Sequence, residues 1–427
     1  MNYYSLHHKS PYVSFRNAVV NGIAPDRGLY FPESITPLGA TFFNMIEQYS
    51  NEEIAFEVIK QFVGDEISKE TLKQIIKETI DFDFPIVSIN EKVGCLELFH
   101  GPTMAFKDVG ARFMAHCLGE FNRNNNNHVT VLVATSGDTG GAVANGFLGV
   151  KGVDVVILYP RGKVSAIQEK QLTTLGQNIS ALEVEGTFDD CQEMVKTAFL
   201  DKDIERTLTS ANSINIARWL PQMFYFFFAY KQLKKKNKEL VFSVPCGNFG
   251  NICAGIMARK LGLPVKHFVA STNVNDTVFQ YLNVGKYNPK PSKATISNAM
   301  DVGNPSNFIR IQELFDNDIN KLKQLFSSCS FTDDQTKKAM KEMLEDFDYV
   351  ADPHGAVGYL GLQAYGLSDN EYGIFLETAH PVKFLNIVEE TLNVNVDIPS
   401  QIQGVLHKEK VAKRIEKYDQ LKAYLNV

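Results

Sequence analysis

Hydrophobic residues in the middle and late parts of the chain form short continuous runs, separated by segments of helical periodicity. The apolar runs cover residues 129–134, 153–158, 239–244, 265–270 and 372–376. Continuous apolar strands that alternate with helices are typical of parallel βαβ units buried on both faces. The pattern therefore predicts an α/β fold with open, mainly parallel sheets.

Other segments have apolar residues at the spacing of a helix, and some also contain residues that typically begin or end one. Helical spacing is strongest at 51–62, 69–82 and 109–121, and Asp108 is placed to cap the last of these helices. The four asparagines at 124–127 indicate a polar turn between this helix and the strand that follows.

Changes of pattern along the 427 residues predict three regions. Residues 1–85 form a mixed N-terminal extension, 86–230 a small α/β domain, and 231–427 a large α/β domain with a C-terminal helical segment. That segment, residues 397–427, has the spacing of an amphipathic helix. Its apolar face would carry Val411, Ile415, Tyr418 and Leu421.

The composition excludes several classes of function. Acidic residues outnumber basic ones by 49 to 43, a net charge of −6, so nothing indicates nucleic-acid binding. The first residues lack the apolar core of a signal peptide, and no apolar run approaches the ~18 residues of a membrane span. Six scattered cysteines form no Cys-x-x-Cys pair, which favours reduced, mostly buried thiols. We expect a soluble cytoplasmic protein without a metal, either a monomer or a homodimer.

One lysine, Lys107, follows a tight turn and a dry flank at the predicted start of a helix. Gly101 and Pro102 make the turn, and the flank consists of Met104, Ala105 and Phe106. Burial and the positive end of the helix dipole both disfavour the ammonium, so we expect a lowered pKa for Lys107. A partly neutral amine can attack a carbonyl, which makes Lys107 a candidate nucleophile. Its flanks alone also fit a surface lysine whose stem packs on apolar neighbours.

The loop 245–251 joins a predicted strand to a predicted helix and contains Gly247 and Gly250. Backbone amides that converge in such a loop, together with the helix dipole, suit a phosphate. The glycine spacing of a dinucleotide fold is missing, and 265–271 contains no acidic residue to hold a ribose. A small cofactor with a single phosphate fits this loop better than a nucleotide, and a plain glycine turn is the alternative.

Three further segments place polar side chains after predicted strands or in apolar surroundings. Loop 135–141 offers hydroxyls, amides and a helix N-terminus, which suit a carboxylate. Arg161 and Lys163 follow a strand and could face an anion, or equally form a solvent-exposed pair. Arg218 lies among small polar and apolar residues, where it needs a carboxylate or a substrate anion as partner.

Taken in order, these features resemble pyridoxal-phosphate enzymes of the tryptophan synthase β fold, and the individual strings are similar to those of the threonine synthase family. The strings span nearly the whole chain: residues 28–32, 97–103, 134–140, 158–163, 210–218, 271–277, 298–302 and 378–381. They include the N-terminal extension typical of one branch of that family. The resemblance implies two open, mainly parallel sheet domains with pyridoxal 5'-phosphate in the cleft between them.

The resemblance also implies roles for individual residues. Lys107 would form the Schiff base with the cofactor and shuttle protons at the α, β and γ carbons of the substrate. Thr378 would face the pyridine nitrogen, where a hydroxyl makes a weaker electron sink than a carboxylate and favours elimination and replacement over transamination. Five residues would hold the cofactor phosphate, namely Gly247, Asn248, Phe249, Gly250 and Asn251. Seven would hold the substrate, namely Ser136, Gly137, Thr139, Lys163, Ser213, Asn215 and Arg218.

One position departs from the wider fold. Asp138 would stand beside the phenolic oxygen of the cofactor, where many relatives of that fold have asparagine. Two oxygen anions that face each other repel, so we expect Asp138 and the cofactor to share a proton.

The implied reaction converts O-phospho-L-homoserine and water to L-threonine and inorganic phosphate. Phosphate leaves the γ carbon, water adds at the β carbon, and Arg218 is the first choice to hold the substrate phosphate, ahead of Lys163 and Arg161. A phospho-lyase of the same cofactor class would instead release phosphate and 2-oxobutyrate. A non-catalytic binding protein with this fold would be expected to lack Lys107, and a nucleotide-dependent dehydrogenase would need the missing ribose-binding acid.

Overall fold

The computed structural model describes residues 1–123 and 128–426, so the polar turn expected at 124–127 lies outside the described residues. Within this part the chain forms three sheets, of three, six and five strands. The two larger sheets are mainly parallel and alternate with helices along the chain. The predicted α/β fold with two mainly parallel sheets, an N-terminal extension and C-terminal helices is therefore confirmed.

The six-stranded sheet forms the larger half of the molecule. In spatial order its strands are Phe326–Ser330, His267–Thr272, Glu239–Pro245, Glu371–Glu377, Val93–Glu97 and Ile86–Ser88. Only the last pair is antiparallel. Strand Glu371–Glu377 lies between Glu239–Pro245 and Val93–Glu97, and all three run in the same direction. The loops that leave these three strands therefore emerge side by side, about 5 Å apart from one strand to the next.

The five-stranded sheet is parallel throughout. Its strands in spatial order are Lys413–Ile415, Ile179–Val184, Val153–Pro160, Val129–Ala134 and Thr207–Ser210. The N-terminal sheet is antiparallel, in the order Val13–Ser14, Asn2–Ser5, Tyr30–Pro32.

Helices connect and cover these sheets. Those described are Phe15–Asn21, Ala40–Met45, Asn51–Val63, Lys69–Thr79, Lys107–Asn122, Asp138–Phe147, Ala166–Thr173, Phe188–Leu200, Ile216–Trp219, Met223–Leu233, Gly250–Lys260, Thr277–Val284, Phe308–Leu314, Ile319–Lys323, Asp333–Phe347, Pro353–Tyr365, Leu385–Leu392, Ser400–Leu406 and Tyr418–Leu425. None of them combines the length and the apolar composition that a membrane span requires. All six cysteines are free thiols, and five of them are buried.

Aromatic side chains form much of the core. The helix Met223–Leu233 is buried along most of its length, and Phe226 packs edge-on against Phe242 of the six-stranded sheet at 5.1 Å between ring centroids. Edge-on packing is favoured because the positive rim of one ring meets the negative face of the other. This helix therefore fixes one face of the six-stranded sheet.

The strands cross the expected domain boundaries. Strands Ile86–Ser88 and Val93–Glu97, expected in the small domain, belong to the six-stranded sheet. Strand Lys413–Ile415, expected in the large domain, pairs with Ile179–Val184 and completes the five-stranded sheet. A division at residues 86 and 231 does not describe the sheets, because the chain enters the larger sheet, leaves it to build the smaller one, and then returns.

The single amphipathic helix expected over 397–427 is wrong. Two short helices flank a strand in this segment, and Ile415 in that strand pairs with Val184 and is buried. Val411, expected on the apolar face, is 72% exposed. The open edge of the five-stranded sheet offers hydrogen-bond partners that the periodicity of the segment does not reveal.

The expected cap of the lysine helix is also wrong. The helix begins at Lys107, and the N-cap position is taken by Phe106, which makes no side-chain bond there. Asp108 lies inside the first turn, where its Oδ2 accepts from the Thr103 amide at 2.9 Å and its Oδ1 from the Thr103 hydroxyl. Asp108 therefore anchors the turn ahead of the helix, because Thr103 offers it two donors.

Candidate active site

Three loops meet at the carboxyl edge of the six-stranded sheet. The Lys107 turn follows strand Val93–Glu97, the glycine loop follows Glu239–Pro245, and Thr378 follows the strand between them. The Thr378 carbonyl accepts from the Phe106 amide at 2.9 Å, which joins the central loop to the Lys107 turn. The carboxyl ends of parallel strands are where ligands bind in open α/β sheets.

Lys107 is partly buried at the start of its helix and forms no ion pair or hydrogen bond with a described residue. Its Nζ lies 5.6 Å from the centre of the Phe106 ring. Burial lowers the pKa of the Lys107 amine; Asp138 opposes this, whereas the charges of Lys383 and Arg218 add to it. The lowered pKa predicted from the sequence is confirmed, and an unpaired amine of this kind is suited to attack a carbonyl.

The glycine loop has the form of an anion cradle. Phe249 has a left-handed backbone with φ of 60°, directly before the helix Gly250–Lys260. A Cβ at Gly247 would come within 2.8 Å of the Ala299 carbonyl oxygen and 2.9 Å of Met300 Cα, so no other residue fits there.

The backbone amides of Gly247, Asn248 and Phe249 have no hydrogen-bond acceptor among the described residues. Unpaired amides ahead of a helix N-terminus fit the phosphate of the cofactor that the resemblance implies.

The asparagine side chains of this loop brace it from behind. Asn248 Nδ2 donates to Ser213 Oγ at 2.7 Å, and its Oδ1 accepts from the Ser306 amide at 2.5 Å. Asn251 Nδ2 donates to the Pro245 carbonyl at 2.8 Å. Asn248 and Asn251 would therefore serve the phosphate through backbone amides, and Ser213, expected at the substrate, belongs to the support of this loop.

Thr135 organises the loop that faces the cleft from the five-stranded sheet. Its Oγ1 accepts from the amides of Gly137 at 2.9 Å and Gly140 at 2.8 Å. The Gly137 amide, expected to hold the substrate carboxylate, is thus already bonded. The amides of Ser136, Asp138 and Thr139, and the hydroxyls of Ser136 and Thr139, have no acceptor or donor among the described residues.

Gly137 has a conformational role in this loop. Its φ of 140° is rarely adopted by other residues, and a Cβ there would come within 2.6 Å of Gln168 Nε2. The role of Thr135 was not predicted from the sequence, although its position after a strand and before two closely spaced glycines was a signal for it.

Asp138 is buried and pairs with a lysine that sequence reasoning did not single out. Its Oδ1 lies 2.7 Å from Lys383 Nζ and accepts from Gln168 Nε2 at 3.0 Å. Burial alone would raise the pKa of Asp138, but the charges of Lys383 and Lys107 outweigh it and hold the pKa well below its usual range. Lys383 thus supplies a counter-charge, and the shared proton expected at Asp138 is not required.

Of the three cations considered for the substrate phosphate, Arg218 is the one whose charge acts on Lys107. It is 2% exposed, its Nη1 donates to the Ala211 carbonyl, and its Nε has no acceptor among the described residues. Burial lowers the pKa of Arg218 to about 10, with the charge of Asp108 opposing the change. A buried guanidinium with an unpaired N–H and no carboxylate contact is suited to a substrate anion.

The other predicted cations lie at the surface. Arg161 Nη1 pairs with Glu185 Oε2 at 2.8 Å, and both side chains are exposed. Lys163 is also exposed, in the loop between a strand and the helix Ala166–Thr173. The structure therefore places Arg161 in an exposed ion pair with Glu185.

Asn215 does not fit its expected role at the substrate. Its Nδ2 donates to the carbonyls of Val19 at 2.8 Å and Ser210 at 3.1 Å, and its Oδ1 accepts from the Ala217 amide at 3.0 Å. The side chain is fully buried and its polar atoms are committed to the fold. Asn215 caps a short helix and ties it to the N-terminal region.

Known protein families match nearly the whole chain. Residues 88–373 match the family described as pyridoxal-phosphate dependent enzyme. Residues 2–80 match the family described as threonine synthase N terminus, and residues 355–425 the one described as threonine synthase, C-terminal.

Individual relatives agree with these matches. The chain is 45% identical over 405 residues to threonine synthase of Escherichia coli (strain K12), covering 94% of each protein. It is 43% identical to threonine synthase of Haemophilus influenzae, covering 100% of this chain and 99% of the relative.

Solved structures give the same result. The crystal structure of threonine synthase from Escherichia coli superposes with a TM-score of 0.94 at 43% identity, covering 100% of this chain and 99% of the other. A structure of PLP-bound threonine synthase from Brucella melitensis superposes with a TM-score of 0.94 at 32% identity and the same coverage.

Proposed function

The chain belongs to the threonine synthase family of pyridoxal-phosphate enzymes, and we propose from that premise how its residues perform the reaction. The enzyme is a carbon–oxygen lyase that converts O-phospho-L-homoserine and water to L-threonine and phosphate, the last step of threonine biosynthesis. The observation that carries the assignment of roles is the meeting of Lys107, the glycine loop and Thr378 at one sheet edge.

The residues at this edge fit pyridoxal phosphate. The amides of Gly247, Asn248 and Phe249 would hold its phosphate, and the hydroxyl of Thr378 would meet its pyridine nitrogen; none of these groups has a hydrogen-bond partner in the part of the chain that the structure describes. Lys107 would bond its aldehyde carbon. When bound, the cofactor supplies an electron sink for negative charge that develops on the substrate's α carbon.

Lys107 is proposed to move protons at the α, β and γ carbons of the substrate. The carboxylates nearest to it have other partners, since Asp138 pairs with Lys383 and Asp108 accepts from Thr103. A lowered pKa makes the Lys107 amine easier to deprotonate, so that it can take a proton from a carbon and return it. Lys107 is therefore the group in this cleft suited to serve all three carbons.

Two separate groups of donors are proposed to fix the two anionic ends of the substrate. The free amides at the start of helix Asp138–Phe147 and the hydroxyls of Ser136 and Thr139 would hold the α-carboxylate. Arg218 would hold the phosphate, and Lys163, in its exposed loop, is the second choice. Holding both ends places the α, β and γ carbons in a fixed order beside Lys107.

The product ratio tests this proposal against the phospho-lyase alternative. Purified enzyme is supplied with O-phospho-L-homoserine, and threonine, 2-oxobutyrate and phosphate are measured over the same interval. We expect one threonine per phosphate released. Formation of 2-oxobutyrate in step with phosphate, without threonine, would show that water is not added at the β carbon.

We further propose a cytoplasmic enzyme that acts as a monomer or homodimer on a small-molecule substrate. The six free thiols favour a reducing compartment. The units built on the six- and five-stranded sheets are proposed to be the large and small domains on either side of the cofactor. Light scattering coupled to size-exclusion chromatography tests the oligomeric state, and a mass above that of two chains would contradict it.

A further inference from the structure

Two lysines share this cleft, and only one of them has a carboxylate partner. Lys383 is fully buried, and its Nζ lies 2.7 Å from Asp138 Oδ1 and donates to the Thr103 carbonyl at 2.9 Å. Lys107 forms no ion pair with a described residue, although the charge of Asp138 acts on it. The two ammonium groups therefore compete for a single buried carboxylate, and Lys383 holds it.

The ion pair joins the two large sheets across the cleft. Asp138 begins the helix that follows strand Val129–Ala134 of the five-stranded sheet. Lys383 lies in the 3-10 helix Pro381–Phe384, which begins shortly after strand Glu371–Glu377 of the six-stranded sheet. Because the two residues belong to different sheets, the pair forms only when both sides of the cleft are in place.

Only one of the two carboxylate oxygens of Asp138 has partners among the described residues. Lys383 Nζ and Gln168 Nε2 both reach Oδ1, and Oδ2 has no partner among the described residues. The charged groups that act on Lys107 are Asp138, Lys383 and Arg218. Of these, only Asp138 favours the protonated form of the Lys107 nitrogen.

We propose that Lys383 is a positioning residue, which takes Asp138 as its ion-pair partner and so leaves the Lys107 nitrogen free to give up its proton. The inference rests on the proposed role of Lys107. Without Lys383, Asp138 would keep its negative charge in a buried site and turn to Lys107 for compensation. Lys107 would then hold its proton to higher pH and lose part of its capacity as a base.

The visible absorbance of the holoenzyme, followed as a function of pH, tests this proposal. The cofactor band changes when the nitrogen joined to Lys107 loses its proton, so its midpoint reports on that nitrogen directly. Lys383→Gln keeps a hydrogen-bond donor but removes the charge, and we expect its midpoint to rise by at least ~1 pH unit. A folded variant with full cofactor content and a midpoint within ~0.3 units of wild type would overturn the proposal.

Two further variants separate charge from shape. Lys383→Arg keeps a positive charge, and its midpoint is expected to stay close to that of wild type. A shift as large as that of Lys383→Gln would show that shape and not charge is responsible. Lys321→Gln removes the exposed pair with Asp316, at 2.6 Å, and is the matched control with no expected shift.

The double variant Asp138→Asn/Lys383→Gln shows whether Lys383 acts through Asp138. The proposal predicts that Lys383→Gln moves the midpoint much less when Asp138 is already neutral, because no carboxylate is released. Equal shifts in both backgrounds would contradict it. If Lys383→Gln does not fold, the double variant is compared with Asp138→Asn: the proposal predicts nearly equal midpoints, and a double-variant midpoint higher by ~1 pH unit would contradict it.

The same samples keep this inference separate from the proposed function. Wild-type enzyme that lacks a visible cofactor band or makes no threonine would contradict the proposed function itself. Wild-type enzyme with both properties, beside a Lys383→Gln variant that titrates normally, would contradict only the inference.

Discussion

Gly110 lies directly against Arg218, three residues after Lys107 in the same helix. A Cβ at Gly110 would overlap the Arg218 carbonyl oxygen and come within 3.2 Å of its Nε. The absence of a side chain at Gly110 therefore allows the guanidinium to approach the first turn of the lysine helix. This contact explains why a cation from a distant segment lies beside Lys107.

Arg218→Ala is expected to lower kcat/KM by at least ~10², because a charge-assisted clamp on the substrate phosphate is lost. Steady-state kinetics with O-phospho-L-homoserine measure the effect. Arg161→Ala is the matched control, since it breaks an exposed ion pair with Glu185 and should stay within ~2-fold of wild type. Activity of Arg218→Ala within ~3-fold of wild type, at full cofactor content, would remove Arg218 from this role.

Gly247→Ala is expected to weaken cofactor binding by at least ~10-fold. The added Cβ would press on Ala299 and Met300, and the loop must then shift away from the phosphate. Equilibrium titration of the apoenzyme, followed by the visible band, measures the affinity. Gly404→Ala meets nothing within 4 Å and serves as the control with unchanged affinity. Equal affinities for both variants would argue against a phosphate at this loop.

His380 is expected to make the enzyme sensitive to acid. Burial lowers its pKa to about 4 from 6.5, and its Nδ1 accepts from the Val382 amide at 3.1 Å, which requires the neutral ring. Below pH 6.5 the unfolded chain binds a proton at His380, whereas the folded protein binds it only near pH 4. The free energy of unfolding is therefore at its full value above pH 6.5 and falls as the pH is lowered from 6.5 to about 4.

At pH 5 the neutral His380 ring accounts for a decrease of about 1–2 kcal/mol in the free energy of unfolding. His380→Asn, which can still accept from Val382, should remove most of it. Denaturant unfolding at pH 7.5 and pH 5 measures the difference, with the exposed His407→Asn as control. A pH dependence of His380→Asn identical to that of wild type would show that another group titrates.

The sequence predicts the strands and loops of this fold well where the chemistry is local. Residues 129–134 were expected to form a strand and do so at Val129–Ala134, and the glycine loop lies between strand and helix as predicted. These elements depend on apolar runs and glycines, which determine the backbone conformation within a few residues of themselves. The position of Lys107 at a helix start has the same local origin.

Features that depend on distant partners could not be predicted. The role of Lys383 depends on its ion pair with Asp138, and the fold brings Asp138 to it from the side of the other large sheet. Asp108 was expected to cap a helix but accepts from Thr103 instead. The geometry of the turn brings Thr103 to Asp108, and the sequence does not reveal that geometry. Ile415 lies in a strand that pairs at the edge of the five-stranded sheet. Nothing in the sequence around Ile415 indicates that this edge is open to a further strand.

The role of Lys107 is tested most directly by identifying the lysine that carries the cofactor. Borohydride reduction of the holoenzyme fixes the cofactor to its lysine, and peptide mass spectrometry locates the adduct. Lys107 and Lys383 both place their side-chain nitrogen in this cleft, so the measurement distinguishes the nucleophile from the lysine that pairs with Asp138. We expect a single adduct on Lys107 that is lost in Lys107→Ala; an adduct on Lys383, or one that persists in Lys107→Ala, would show that Lys107 is not the lysine that carries the cofactor.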